Sequence, residues 1–234
     1  MSKKIQVISP HFDDAVLSCA QHILDWQAEG YEVEVITVFT EFEASVLSED
    51  SASFVKECGV KSLAAFRKLR EREDTEAMKR LGVKKYKWLG FIDGGFREEN
   101  GKPVYFTHDY LFAGKISDSS EWRDRLTFQL KKAIDTDSTV VLPLGIGGHA
   151  DHHIVKQSAE GFCSPKHLSW YMDVPYAFQL HNLESNLVTT LVSSRASWKW
   201  SSKSKLHAVE AYEAQVPILF PQGLWEYPEI VVKR

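Results

Sequence analysis

Histidine and aspartate side chains form two short clusters that lie far apart along the 234-residue chain. The clusters contain His11, Asp13 and Asp14 in the first segment and His149, Asp151, His152 and His153 in the second. Imidazole nitrogens and carboxylate oxygens are ligands that Zn²⁺ accepts, and catalytic zinc sites use three protein ligands and leave one position open. The two clusters therefore predict one metal site built from both parts of the chain.

Three of these side chains are predicted to be the metal ligands. His11 and Asp14 are three positions apart at a strand-to-helix turn, where both can face one ion. His152 is our choice for the third ligand, because one imidazole from the second cluster completes the set. Such a set also accepts iron, manganese or cobalt, so zinc is the default metal rather than a deduction.

The remaining members of the clusters have the composition of catalytic groups. Asp13 is not needed to hold the metal, and a carboxylate beside an activated water can act as a general base. His149, oriented by Asp151, is expected to donate a hydrogen bond to a developing oxyanion or a proton to a departing amine. A competing interpretation is that Asp13 or Asp14 merely caps a helix, and we expect His153 to be structural.

The segments around the clusters predict how they are brought together. Residues 4–9 and 139–144 are apolar and typical of strands, and each precedes a segment with helical periodicity. A helix over residues 13–29 and a strand over 31–39 complete a β-α-β unit, which favours a parallel pair. The sequence thus predicts an α/β fold with a Rossmann-like, mostly parallel sheet flanked by helices. Ligands bind at the carboxyl ends of such strands.

Two long polar or irregular segments are predicted to border the site. Residues 40–60 are expected to form a mobile loop, and residues 91–120 a lid or insertion. Composition shows no clear linker, so residues 1–234 are expected to form a single domain.

Composition excludes several classes of partner. The net charge of −4 and the absence of a basic cluster argue against nucleic-acid binding. The three cysteines have no metal-ligand spacing, and no stretch of about 18 apolar residues is present. We therefore expect no membrane partner and a cytoplasmic location.

The clusters resemble the motifs of the PIG-L or LmbE-like family of zinc-dependent N-deacetylases, His-Pro-Asp-Asp and His-x-Asp-His. They read here His11-Phe12-Asp13-Asp14 and His149-Ala150-Asp151-His152. The resemblance implies the same roles for these residues as the argument above. The family pattern Arg-x-x-Glu-x-x-x-Ala-x-x-x-Leu-Gly also recurs from Arg70 to Gly82 and is followed by Asp93. In the family this arginine and aspartate contact sugar hydroxyls, which implies that Arg70 and Asp93 bind substrate.

One departure from the family concerns a tyrosine. Some sugar deacetylases of the family carry it two residues before the first histidine of the second motif, where this chain has Gly147. Tyr105, Tyr110 and Tyr176 are candidates to replace it.

The resemblance implies an LmbE-like fold and removal of an N-acetyl group from a small N-acetylated amino sugar, such as N-acetylglucosamine, or its conjugate. It leaves a homo-oligomer open. Two alternatives remain: a metal-dependent amidase or deacylase that acts on a non-sugar small molecule, and a metal-binding protein without catalysis.

Overall fold

The computed structural model describes residues 3–179 and 195–233. Its strands are β1 (Lys4–Ser9), β2 (Glu32–Glu41), β3 (Lys85–Ile92), β4 (Glu98–Glu99), β5 (Lys102–Pro103), β6 (Thr139–Pro143), β7 (Leu168–Tyr171), β8 (Arg195–Trp200) and β9 (Pro228–Lys233). Its α-helices are α1 (Asp14–Ala28), α2 (Glu49–Glu57), α3 (Leu63–Arg80), α4 (His108–Leu111), α5 (Ser120–Ala133), α6 (Ala150–Glu160), α7 (Tyr176–Gln179), α8 (Lys203–Val209) and α9 (Val216–Leu219).

Seven of the strands form one sheet of order β3-β2-β1-β6-β7-β9-β8. The pairs that join β3 through β7 are all parallel, whereas β9 is antiparallel to both of its neighbours. The predicted mostly parallel α/β sheet is therefore confirmed. The strand order reverses between β1 and β6, because the chain runs outward to β3 and then returns to the other side of β1. Such a reversal leaves a crevice beyond the carboxyl ends of the two strands.

Both faces of the sheet are covered by helices, which explains why its central strands are apolar without alternation. Val7 of β1 belongs to the core beneath α1, α3 and α8, whereas its neighbour Ile8 belongs to the core beneath α5 and α6. Both side chains have no solvent exposure. The two layers hold β1 rigidly, so the residues that follow it are fixed in space.

The helix that follows β2 and α2 has clear sequence signals at both ends. The Ser62 side chain accepts a hydrogen bond from the backbone N–H of Ala65 and caps the first turn of α3. Gly82 follows the last turn with φ of +68°, a conformation that glycine adopts without strain. These signals account for the bounds of α3, Leu63–Arg80.

Residues 40–60 differ from the prediction of a loop, because they contain helix α2. Ser48 caps this helix by accepting from the backbone N–H of Ser51, and Glu49 and Asp50 lie in its first turn. Acidic groups there interact favourably with the helix dipole. The polar composition of the segment hid this capping signal.

Residues 91–120 combine a 3₁₀ turn (Gly94–Phe96), the small β4–β5 hairpin and helix α4. The hairpin turns at Asn100 and Gly101, which both have positive φ, as a two-residue turn requires. Movement of this segment as a lid stays a prediction. Within the described residues no helix has the length and apolar character needed to cross a membrane. Cys19, Cys58 and Cys163 are buried free thiols.

Candidate metal and active site

The predicted ligands from the two clusters meet at the crevice between β1 and β6. One ligand atom each from His11, Asp14 and His152 lies within 4.8 Å of the other two. Asp14 Oδ2 lies 3.1 Å from His11 Nδ1 and 3.3 Å from His152 Nε2. Residues separated by more than a hundred positions are adjacent here because β1 pairs directly with β6. The arrangement fits a divalent cation.

One imidazole nitrogen in this group is buried without a hydrogen-bond partner. His152 Nε2 is completely buried and makes no hydrogen bond among the described residues. Its other nitrogen, Nδ1, lies 2.6 Å from Asp173 Oδ1. Since a carboxylate only accepts, Nδ1 carries a hydrogen, and Nε2 is the nitrogen that can bind a metal after it loses its proton. A buried imidazole nitrogen without a hydrogen-bond partner, beside a carboxylate, is expected of a metal ligand, and the donor set therefore fits the metal.

Neither aspartate of the first cluster acts as a helix cap. Asp13 occupies the N-cap position of α1, but its side chain makes no capping hydrogen bond. Asp14 instead accepts from the backbone N–H of His11 at 2.8 Å. The first-turn N–H of Ala15 is satisfied by Ser9 Oγ at 2.9 Å. Ser9 therefore satisfies this N–H group of α1, and the interpretation that Asp13 or Asp14 merely caps the helix is not supported.

The Asp13 carboxylate lines the cavity of the site and contacts a buried arginine. Arg70 Nη2 lies 3.1 Å from Asp13 Oδ2, and Arg70 Nη1 lies 3.5 Å from Glu73 Oε2. Arg70 is only 4% exposed, and its guanidinium lies 5.9 Å from the ring centres of Phe12 and Tyr212. It lines the cavity described below, but its closest charged partner is Asp13. A contact of Arg70 with substrate stays a prediction.

Asp151 contacts the His149 ring through its backbone N–H and not through its carboxylate. His149 Nδ1 accepts from the backbone N–H of Asp151 at 3.1 Å. The Asp151 carboxylate points the other way, toward Arg97, the backbone N–H of Gly94 and His11 Nε2, the last at 3.0 Å. The backbone therefore orients His149, and the carboxylate serves His11.

The same geometry decides between two sets of possible metal ligands. His11, His149 and Asp151 also offer atoms within 4.8 Å of one another. However, the oxygens of Asp151 already accept from Arg97 and two further donors. The set with Asp14 and His152 is the better ligand group, because among the described residues the Asp14 carboxylate forms ion pairs only with His11 and His152 and with no lysine or arginine.

The pKa values of His152 and His149 are shifted in opposite directions. Burial lowers the pKa of His152, but the carboxylates of Asp14 and Asp173 outweigh burial and raise it to about 9. Burial also lowers the pKa of His149, and the nearby His11 lowers it further, to well below its ordinary value. His149 is therefore a neutral imidazole at pH 7. Since its Nδ1 accepts, its Nε2 carries the hydrogen and can donate it.

A cavity of about 500 Å³ opens above these groups. Its deep end contains His11, Asp13, Asp93 and His149. Most of its wall is apolar and comes from several elements, namely Phe42, Phe54, Phe66, Phe96, Leu111, Phe112, Ile218 and Leu219. Carboxylates of Asp50 and Glu57 on α2 lie along one side. The volume falls within the range of roughly 300–1,000 Å³ that is typical of small-molecule sites.

Asp93 lies at the deep end of the cavity, beside the first cluster. Its Oδ1 accepts from the backbone N–H of Gly95 at 2.8 Å, and its Oδ2 lies 3.5 Å from His11 Nε2. Its side chain is 18% exposed, so an oxygen remains accessible from the cavity. Substrate binding by Asp93 stays a prediction.

The space above Gly147, where the expected family tyrosine is absent, is filled by Tyr176. Gly147 has φ of +89°, and a Cβ built there would lie 2.6 Å from Tyr176 Cβ. Tyr176 lines the cavity and its ring contacts those of His152 and Phe112. The Tyr105 hydroxyl, by contrast, donates to Asp118 at 2.7 Å. Tyr176 is the better placed of the candidates.

Sequence reasoning missed two residues that orient the site, Asp173 and Arg97. Asp173 follows β7, and its second oxygen accepts from the backbone N–H groups of Gly145 and Ile146, each at 2.8 Å. A carboxylate at the carboxyl end of the strand next to β6 was a usable signal. Arg97 follows the 3₁₀ turn after β3, and nothing in its local sequence marks it.

Comparison with known proteins agrees with this geometry. Residues 6–162 match the PIG-L family, which is described as GlcNAc-PI de-N-acetylase. The chain belongs to the PIG-L family. A 2′-N-acetylparomamine deacetylase of Niallia circulans is 29% identical over 188 residues, 75% of this chain and 68% of that protein. One of Streptomyces fradiae is 28% identical over 181 residues, 74% of this chain and 57% of that protein.

Solved structures share the fold over the whole chain. A deacetylase–teicoplanin complex from teicoplanin biosynthesis matches with a TM-score of 0.70 and 25% identity, covering 99% of each chain. The overall fold of this chain is therefore similar to that of a solved deacetylase.

Proposed function

We propose that the protein is a zinc-dependent hydrolase that removes an N-acetyl group from an N-acetylated amino sugar or its conjugate. The observation that carries the proposal is the group formed by His11, Asp14 and His152 below a cavity that also exposes Asp13 and His149. The first three side chains would hold the ion, and Asp13 and His149 would serve proton transfer and oxyanion stabilisation. Membership of the PIG-L family and the deacetylase relatives support the same reaction.

The division of roles follows from the contacts of each group. A divalent metal held by the three ligands would polarise an amide carbonyl and activate water for attack. Asp13 accepts the proton of that water while the new C–O bond forms. The same carboxyl then returns the proton to the amide nitrogen as the C–N bond breaks, which releases acetate and the free amine.

His149 is assigned to the oxyanion rather than to the departing amine. A neutral imidazole that lines the cavity and carries its hydrogen on Nε2 is a hydrogen-bond donor and a weak acid. The lowered pKa of His149, caused first by burial and then by His11, keeps it in this form at neutral pH. A donor fixed in place before reaction stabilises charge that develops on the carbonyl oxygen.

The cavity supports a substrate larger than a single N-acetylated ring. Its volume of about 500 Å³ extends from the site toward α2 and α9, and its aromatic wall suits the apolar faces of sugar rings. Asp50 and Glu57 on the same wall suit a substrate with positive charge. The two relatives named above act on N-acetylparomamine by their names, which supports an amino sugar conjugate here as well.

The test is an acetate-release assay on the purified protein. Metal is removed with a chelator, and zinc, iron(II), manganese and cobalt are added back separately. N-acetylglucosamine, 2′-N-acetylparomamine and an N-acetylated peptide are compared at equal concentration. We expect zinc to restore acetate release, with the amino sugar conjugate preferred over the peptide.

Each contrary result points to a different function. Preference for the peptide would support a non-sugar amidase. Tight metal binding without release of acetate from any substrate would support a metal-binding protein without catalysis. Full activity after complete removal of metal would contradict the proposal altogether.

A further inference from the structure

The side chain of Asp151 is buried at the base of the site and has a donor on every side. It has no solvent exposure and accepts from the backbone N–H of Gly94 at 2.8 Å, from Arg97 Nη2 and from His11 Nε2 at 3.0 Å. Because an ionised carboxylate only accepts, His11 must carry its hydrogen on Nε2 at this contact. His11 Nδ1 is then the nitrogen left for a metal, and it lies 3.1 Å from Oδ2 of Asp14, which belongs to the same ligand group.

Arg97 holds the Asp151 carboxylate and is itself fixed from several directions. Its Nη1 donates to the backbone carbonyl of Ile92 at 2.9 Å, and its Nε lies 2.7 Å from Asp118 Oδ1. Its guanidinium lies 4.4 Å from the ring centre of Trp122. Arg97 is 3% exposed and does not line the cavity above the metal ligands. It therefore has no route to substrate and acts only through its neighbours.

We propose that Arg97 is a positioning residue, which through Asp151 fixes the tautomer and ring orientation of His11 so that Nδ1 binds the metal. The counterpart is Asp173, which accepts from His152 Nδ1 and leaves Nε2 for the metal. The two ligand histidines are thus held in opposite tautomers by two different carboxylates. This inference rests on the ligand assignment in the proposed function.

Two conservative variants test the inference through metal affinity. Arg97→Lys keeps the positive charge but lacks the planar group that contacts Asp151, Asp118 and the Ile92 carbonyl together. Asp151→Asn keeps the shape but places an N–H₂ group against one of the donors. Loss of a hydrogen bond that orients a metal ligand typically weakens metal binding about 10–100-fold. Zinc affinity is measured by competition with a chromogenic chelator, and the exposed Arg123→Lys serves as the matched control.

A spectroscopic measurement on the unaltered protein keeps the inference testable if a variant fails to fold. In the zinc-loaded protein labelled with ¹⁵N histidine, long-range ¹H–¹⁵N correlation identifies which nitrogen of His11 carries hydrogen. We expect hydrogen on Nε2 of His11 and on Nδ1 of His152. Hydrogen on Nδ1 of His11, or wild-type zinc affinity in both folded variants, would overturn the inference. Absence of acetate release with these tautomers present would instead refute only the proposed reaction.

Discussion

Asp74 is a fully buried carboxyl group whose replacement should stabilise the protein at alkaline pH. It lies on α3, four residues after Arg70, and it is 1% exposed. Trp88 Nε1 and the Tyr212 hydroxyl donate to its two oxygens, each at 2.8 Å. Burial raises the pKa of Asp74 from 3.8 to about 7, since the two hydrogen bonds and the Arg70 charge only partly offset the loss of solvent.

The direction of the pH effect follows from which state holds the proton. Between pH 4 and pH 7 the unfolded chain has lost the Asp74 proton while the folded chain still binds it. Stability therefore falls as pH rises through this window, and the full loss persists above pH 7. A shift of roughly 3 pH units corresponds to about 4 kcal/mol, at about 1.36 kcal/mol for each unit.

The variant Asp74→Asn removes this titration while keeping both neighbours hydrogen-bonded. Its amide oxygen can accept from Trp88, and its N–H₂ group can donate to the Tyr212 oxygen, whose hydrogen then goes to the Phe12 carbonyl at 2.6 Å. We expect the variant and the wild type to have similar stability near pH 4. At pH 8 the variant should gain up to about 4 kcal/mol in free energy of unfolding.

Urea unfolding monitored by circular dichroism measures this difference at unit intervals from pH 5 to pH 9. The exposed Asp124→Asn variant is the control and should show no pH-dependent difference. Because wild type and variant share every other titrating group, their difference isolates Asp74. A difference that stays constant from pH 5 to pH 9 would refute a pKa near 7 for this group.

Three further predictions concern the metal site and the residues around it. Asp173→Asn should weaken zinc binding about 10–100-fold, because it removes the acceptor for His152 Nδ1, and isothermal titration calorimetry measures the change. Gly147→Ala should lower the free energy of unfolding by about 1–3 kcal/mol, because φ of residue 147 is +89° and the new Cβ would meet Tyr176. A denaturation midpoint equal to that of the wild type would refute the clash. Zinc affinity should rise with pH up to about 9, because the pKa of His152 is raised to about 9 and His152 must lose a proton before it binds metal. A zinc affinity that does not change between pH 6 and pH 9 would contradict this prediction.

The chemistry of the site was predictable because its residues are marked locally. His11 and Asp14 share one turn after β1, and His149 and His152 share one turn after β6. The β-α-β pattern at the start of the chain is enough to predict a parallel sheet and ligands at its carboxyl edge. No long-range information is needed for either step.

The residues that orient the ligands were not predictable in the same way. Arg97 and Asp173 come from segments that reach the site only through the strand order, and each acts through a neighbour rather than directly. The sequence predicts that Asp151 orients His149, but not that its backbone N–H makes this contact while its carboxylate contacts His11. Sequence spacing places a residue near another but does not say which of its atoms makes the contact.

The most direct test of the central claim compares metal content and turnover in Asp13→Asn. Asp13 is outside the ligand group, so the variant should bind zinc as the wild type does. Without a carboxylate to accept and return the proton, acetate release from the amino sugar conjugate should fall about 10²–10⁴-fold. The account predicts a zinc-loaded protein with this loss of kcat. A zinc-loaded Asp13→Asn variant with wild-type kcat would contradict it.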